Sequence, residues 1–252
     1  MNRSPFDVTG RIALVTGGSA GLGAAAARTL AAAGARVALA ARDPERLEAS
    51  AASLRVEGAE VMSVPLDVTD SDSTHRAVER VMRELGGLHI LVNAAGTIVR
   101  GSILEATVAD FDEVMRTNAF GTWNLCRAAS RYMQAGGAIV NVISTVGLIG
   151  MSDRSAYAAS KGAATMITRS LAVELAPRGI RVNAVAPGPF ATDMSSASQS
   201  TERWKKLIAE RVPLKRVATA GEIGPPILFL ASDASSFITG AVLPVDGGWT
   251  AS

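Results

Sequence analysis

The chain is poor in the side chains that most often carry reactive chemistry. Its 252 residues hold one cysteine, Cys126, two histidines, His75 and His89, and two tyrosines, Tyr132 and Tyr157. A single cysteine excludes an internal disulfide and fits a reducing compartment. A zinc centre of cysteine and histidine ligands is all but excluded by supply, so no metal site is expected. A histidine-dependent triad has only two candidates to draw on. Acid–base chemistry therefore falls to lysine, tyrosine or a carboxylate. Charge of one sign is also lacking: 25 basic residues stand against 23 acidic ones, a net +2, which is no nucleic-acid footprint. The N-terminal Met-Asn-Arg-Ser-Pro-Phe-Asp has no apolar segment of the kind a secretory leader carries. The most apolar stretch, 137–151, is interrupted by Asn141, Ser144 and Thr145 and is too short to span a bilayer. The expectation is a cytoplasmic protein with neither nucleic acid nor membrane as a partner.

What is present suffices for one sizeable core: 48% of the residues are hydrophobic and 19% charged. Seven short aliphatic runs begin at Arg11, Arg36, Glu60, Leu88, Ala138, Arg181 and Ala241. They are near-continuously apolar, as strands buried on both faces are. Helical stretches fall between them, at Leu22–Ala33, Pro44–Glu57, Ser71–Leu85, Ile103–Gln134, Ala156–Ala176 and Thr219–Ala231. Repeated βαβ units imply an α/β fold, a parallel sheet with helices on both faces. No linker divides the chain, so 1–252 is read as one domain. Asp43-Pro44 supplies an N-cap and a first-turn proline, and Pro177-Arg178-Gly179 ends the Ala156 helix. The polar, serine-rich segment Met194–Arg211 reads as a lid near 190–212 rather than as core.

The first strand runs into Thr16-Gly17-Gly18-Ser19-Ala20-Gly21-Leu22-Gly23 and then an alanine-rich helix. Glycines at this spacing let backbone N–H groups and a helix N-terminus approach a pyrophosphate. Dinucleotide folds read the adenosine ribose at the end of the second strand, with a carboxylate for a 2′-hydroxyl or an arginine for a 2′-phosphate. Here that strand ends Ala40-Ala41-Arg42, and Asp43 follows either as the cap or as a displaced ribose acceptor. Farther on, Tyr157 and Lys161 lie four residues apart on one helix face. An ammonium so placed is expected to pull the phenol below its usual pKa of about 10, toward a working acid–base. Ser144 ends the fifth strand, where ligand crevices of open parallel sheets lie.

Thr16-Gly17-x-x-x-Gly21-x-Gly23, Asn93-Ala94-Ala95-Gly96, Asn118, Ser144, Tyr157-x-x-x-Lys161, Pro187-Gly188 and Val245-Asp246-Gly247-Gly248 together resemble the short-chain dehydrogenase/reductase family. The resemblance covers essentially the whole chain. It implies a single Rossmann-type domain, doubly wound around a seven-stranded parallel sheet. It implies Asn118, Ser144, Tyr157 and Lys161 as the catalytic group, with Asn118 holding a proton-relaying water. For the cofactor it implies Gly17, Ser19, Ala20, Gly21, Leu22 and Gly23 at the phosphates, and Asp67 with Val68 at the adenine. Asn93, Ala94 and Gly96 form the loop beside it, and Pro187, Gly188, Phe190 and Thr192 contact the carboxamide. Lys161 also holds the nicotinamide ribose and Tyr157 stands at the ring. Ala94 departs from the family, which often has a second asparagine there.

Ala41 stands where NAD-preferring members carry aspartate, and Arg42 follows as in NADP-preferring ones, so NADP(H) is expected and NAD(H) is the runner-up. A second basic residue seen in some NADP members is missing, because Ala20 is there. The reading is an oxidoreductase that exchanges hydride between nicotinamide and a ketone or secondary alcohol. The substrate expected is a sugar acid, a polyol or another small carbonyl compound, as in gluconate-dehydrogenase-like members. The alternative is a 3-oxoacyl-acyl-carrier-protein reductase, and a different class is a cofactor-binding regulator without turnover. Arg100 either faces an anionic substrate or is a solvated loop arginine, and the second reading is taken. His75 and His89 are read as structural or solvated, and Cys126 as core. The small or apolar Ala156–Ala176 helix needs cover on two sides, and with Trp249 at a second contact this suggests a homotetramer.

Overall fold

Backbone alternation builds the sheet before any site exists. In β1 (Ile12–Thr16) Ala13 and Val15 point to one face and Ile12 and Leu14 to the other. β2 (Arg36–Ala41), β3 (Val61–Pro65), β4 (Ile90–Asn93), β5 (Ala138–Val142), β6 (Arg181–Pro187) and a late strand, β9 (Val242–Val245), complete the sheet. The order is β3-β2-β1-β4-β5-β6-β9 and every pairing is parallel. One face is covered by α1 (Gly21–Ala32), α2 (Pro44–Val56) and α8 (Gly224–Ala231), through Leu30, Leu47 and Ile227. The other is covered by α3 (Ser71–Leu85), α5 (Gly121–Ser130) and α6 (Ser155–Leu175), through Val81, Leu125 and Leu175. The fold is therefore one doubly wound Rossmann-type domain. Its strand order reverses between β1 and β4, which opens a crevice at the C-terminal ends of the strands. The computed structural model describes residues 4–193 and 200–251.

The caps fall where the sequence places them. Asp43 accepts from the N–H groups of Glu45 and Arg46 at 3.0 and 3.1 Å, and Gly179 ends α6 at φ +68°. The long Ile103–Gln134 helix is not continuous. It starts only at α4 (Val108–Val114), because Thr107 and Asp110 form a reciprocal capping box. It then widens into a π-helical turn, Met115–Phe120, before α5, which stops at Ser130. The Thr219–Ala231 stretch likewise begins as a 3₁₀ turn, Ala220–Ile223.

Of the lid segment, residues 194–199 lie outside the described residues. The rest includes α7 (Glu202–Arg211), whose Ile208 is buried against Val212 and Trp249. A two-stranded ribbon, β7 (Phe190–Ala191) with β8 (Ala218–Thr219), flanks the segment on either side. Trp249 is 9% exposed and packs with Ile208 and Val212 in the α7 cluster. His89 accepts from Ile12 N–H at 3.0 Å through Nδ1, and burial lowers its pKa. Cys126 is fully buried, and burial pushes its thiol up to about 12. Both are structural.

Candidate active site

The glycine-rich loop leaves β1 and must turn at once into α1. Gly17 has φ +66°, and a Cβ there would stand 2.7 Å from the Ala94 carbonyl oxygen. A Cβ on Gly23 would be driven into the Gly17 carbonyl. Only glycine permits both approaches. Thr16 clips the neighbouring loop in place: its hydroxyl accepts from Ala94 N–H at 3.0 Å and Ala95 N–H at 3.1 Å. The α1 N-cap, Ala20, has no side chain to satisfy the first-turn N–H groups, and no acid lies in that turn. Those donors face a cavity of about 390 Å³ lined by the loop, Arg42, Asp67, Val68, Ala94, Gly96 and Thr192. A bare helix N-terminus above a glycine cradle fits the pyrophosphate of a dinucleotide.

At the adenosine end Ala41 offers no carboxylate, and Asp43 caps α2 through Oδ1 while lining the cavity. Arg42 is exposed at the cavity wall. Arg46, which sequence reasoning passed over, lines the same wall and is held by Asp193 at 3.3 Å. Its signal was present, since it lies on the first turn of the helix that Asp43 caps.

A second cavity, of about 170 Å³, adjoins the first through Leu22, Ala94, Gly96 and Thr192. Ser144, Tyr157, Lys161, Pro187, Gly188 and Phe190 all line it. Ser144 caps the 3₁₀ turn Thr145–Gly147 just beyond β5, and Tyr157 and Lys161 share one face of α6. Lys161 is 6% exposed. Its Nζ donates to the Val142 carbonyl at 3.1 Å, and burial lowers its pKa to about 8. The ammonium lies 5.8 Å from the Tyr157 ring centre.

The phenol behaves otherwise than the spacing predicts. Burial raises the Tyr157 pKa. The opposing influences are a hydrogen bond with Ser144 and the charges of Arg154 and Arg100. The lysine spends its short-range bonding on the strand carbonyl instead. Arg100 is exposed on its loop, as a solvated arginine is, and it also lines the cavity with Arg154, near enough for its charge to reach the phenol.

Two expected residues line neither cavity. Asn118 is 0% exposed in the π-helical turn. Its amide donates to the Thr97 carbonyl at 2.9 Å and to Ser160 Oγ at 3.0 Å, and its Oδ1 accepts from Thr97 N–H at 2.9 Å. A Cβ on Gly96 would lie 3.1 Å from Asn118 Oδ1 and 3.5 Å from Lys161 Nζ, so the asparagine borders the lysine. Asn93, expected at the cofactor, is 4% exposed and turned into the sheet. Its amide donates to Asn141 Oδ1 at 2.8 Å and to Cys126 Sγ at 3.2 Å.

A doubly wound sheet whose reversal crevice carries Ser144, Tyr157 and Lys161 defines a dinucleotide-fold oxidoreductase of the short-chain type. The family model described as enoyl-(acyl carrier protein) reductase matches residues 17–250. A 2,3-dihydro-2,3-dihydroxybenzoate dehydrogenase of Bacillus subtilis (strain 168) is 37% identical, covering 96% of this chain and 97% of that one. A cis-4-hydroxycyclohexanecarboxylate dehydrogenase of Sinomonas cyclohexanicum is 41% identical, with 96% and 97% covered. The crystal structure of a gluconate 5-dehydrogenase from Burkholderia cenocepacia J2315, in complex with NADP and tartrate, superimposes with a TM-score of 0.93 at 32% identity, covering 98% of each chain. The chain belongs to the short-chain dehydrogenase/reductase family of oxidoreductases. No described helix is long and apolar enough to cross a membrane.

Proposed function

We propose that the protein is a cytoplasmic NADP(H)-dependent oxidoreductase that interconverts a small ketone and its secondary alcohol. The observation that carries this is the placement of Ser144, Tyr157 and Lys161 on one wall of a cavity continuous with the glycine cradle. Bound in that cradle, the nicotinamide supplies the hydride in reduction and accepts it in oxidation. The loop Gly17–Gly23 holds its phosphates, Asp67 and Val68 flank the adenine, and Pro187, Gly188, Phe190 and Thr192 meet the ring's side. Arg42 supports the NADP preference, because Ala41 offers no carboxylate at the position NAD-preferring members use.

Tyr157, kept protonated by burial, donates its proton to the carbonyl oxygen as the carbon takes up hydride. Ser144 hydrogen-bonds the same oxygen and holds the phenol in line. Lys161 carries positive charge below about pH 8 and stabilises the phenolate that remains. Asn118 ties the 97–101 loop to the α6 turn between Tyr157 and Lys161, and so orients both. The substrate class is a small carbonyl compound, with sugar acids and polyols included. Reduction of an acyl chain on a carrier protein is the second reading, favoured by the arginines Arg203 and Arg211 near the cavity mouth. Exposed Val173 and Met166 on α6, with Phe120 and Trp123 nearby in the chain fold, support a homotetramer.

Turnover of a ketone and alcohol panel with NADPH and NADH in parallel tests the reading. Tyr157→Phe should abolish turnover while NADPH still binds. Turnover that survives in Tyr157→Phe, or cofactor binding with no turnover anywhere in the panel, refutes it, the latter in favour of a regulator.

A further inference from the structure

Two guanidinium groups flank the tyrosine of the inner cavity. Arg154 is the N-cap of α6, three residues before Tyr157, and Arg100 lies on the loop beyond β4. The two loops are pinned together, for Gly101 N–H donates to the Asp153 carbonyl at 3.2 Å. Asp153 itself is held at φ +59°, a left-handed conformation that costs a non-glycine residue on the order of 1 kcal/mol. Its carboxylate is engaged by Arg203 of α7 at 3.0 Å. Arg154 is half-buried, and desolvation together with the repulsion of Arg100 disfavours its charge. Two guanidinium groups lining one cavity give it a positive field that favours an anion.

A third donor belongs to a residue that lines the same cavity. Among the described residues, Trp204 Nε1 is the one buried side-chain nitrogen or oxygen without a hydrogen-bond partner. Leaving such a donor unsatisfied costs about 1–3 kcal/mol. Trp204 lines the inner cavity and also an outer one of about 450 Å³, as do Arg100, Arg154, Met151 and Trp249. The outer cavity carries four arginines, Arg100, Arg154, Arg203 and Arg211, against the single acid Asp153.

Guanidinium and indole N–H groups donate and cannot accept. A hydroxyl-bearing end of a substrate would find no acceptor in this trio, whereas a carboxylate is acceptor-only. We propose that Arg154 and Arg100, with Trp204 Nε1, form a carboxylate-binding subsite, and that the substrates are small hydroxy and oxo carboxylic acids. The acid's carbon body lies against Trp249 and Met151, and its carbinol or carbonyl reaches Tyr157. The inner cavity, about 170 Å³, is smaller than the roughly 300–1,000 Å³ of drug-sized sites and suits a compact acid. The outer arginines draw anions toward the mouth. The inference rests on the proposed reaction only in that the same cavity holds the reacting carbonyl.

The test is titration calorimetry on the full chain saturated with NADP⁺. The probes are cyclohexanecarboxylate, benzoate and gluconate, each paired with its neutral amide. At least one acid should bind tenfold or more tightly than its amide. Arg154→Gln or Arg100→Gln should remove that preference, Arg154→Lys should keep part of it, and Trp204→Phe should weaken the acid about fivefold. NADPH affinity and circular dichroism of each variant serve as folding controls. Equal binding of acids and amides, or a preference that survives Arg154→Gln, overturns the proposal. So does reduction of a carrier-bound acyl thioester by a protein that binds none of the three acids. Acids that bind through Arg154 in a protein without turnover leave the subsite standing and remove the reaction instead.

Discussion

Lys161 is a buried ammonium, and its cost to the fold is measurable. Its pKa falls from 10.5 to about 8 because burial strips water from the charge. A base whose pKa is depressed on folding binds fewer protons in the native state than in the unfolded state between those values. Stability therefore rises with pH through the window from about 8 to 10.5 and is fully penalised below it. A shift of this size corresponds to about 3 kcal/mol at pH 7 and about 1 kcal/mol at pH 10. Lys161→Met removes the charge and also the charge-assisted bond to the Val142 carbonyl, worth about 2 kcal/mol. The variant without cofactor should thus be about 1 kcal/mol more stable than the parent at pH 7 and about 1 kcal/mol less stable at pH 10. At pH 7 that is a rise in Tm of about 2–4 °C for a chain of this length. Urea unfolding of both proteins at the two pH values reads the difference directly, and other titrating groups cancel in it. The variant should have lost turnover. A gap that does not change with pH, or a variant less stable at pH 7 than at pH 10 relative to the parent, refutes the reasoning.

Three further outcomes follow from the geometry. Arg42→Ala should raise the KM for NADPH by about tenfold to a hundredfold, the value of one charge-assisted bond, and leave that for NADH within about threefold; equal losses for both refute its assignment to the 2′-phosphate. Gly23→Ala drives a methyl group into the Gly17 carbonyl, so NADPH binding should vanish from fluorescence titration with a stability loss of about 1–3 kcal/mol. Light scattering should give about four times the 25.9 kDa chain mass, and a stable monomer at micromolar concentration refutes the tetramer.

Much of the frame was legible because its signals are local. Strands buried on both faces must be apolar nearly throughout, so Ile12–Thr16 and Ala138–Val142 announce themselves. The Asp43 cap, the Gly17–Gly23 turn and the Tyr157–Lys161 spacing are likewise short-range facts. What escaped depends on neighbours distant in sequence. Whether Tyr157 is raised or lowered turns on its burial and on Arg100 and Arg154, which no spacing to Lys161 reveals. Trp204 is one aromatic on a polar helix until Trp249 and Ile208 close over it. The Ile103–Gln134 stretch reads as one helix because the capping box at Thr107 and the widened turn at Asn118 leave its composition helical.

The amides buried under the crevice bear on how the chain finds its fold. Asn93 and Asn141 are direct partners in the β4–β5 register, and Asn141 goes on to donate to Thr168 of α6 at 2.9 Å. Parallel strands join segments far apart in the chain, and aliphatic runs such as Ile90–Val92 and Ile139–Val140 would pack acceptably in more than one alignment. A slip of one residue between the two strands would put their amides on opposite faces and leave them unpaired in an apolar interior, at about 1–3 kcal/mol each. The polar trio works as a key cut for one alignment of the sheet. Loops at the crevice rim can accumulate changes in sequence without shifting the strands that aim the tyrosine.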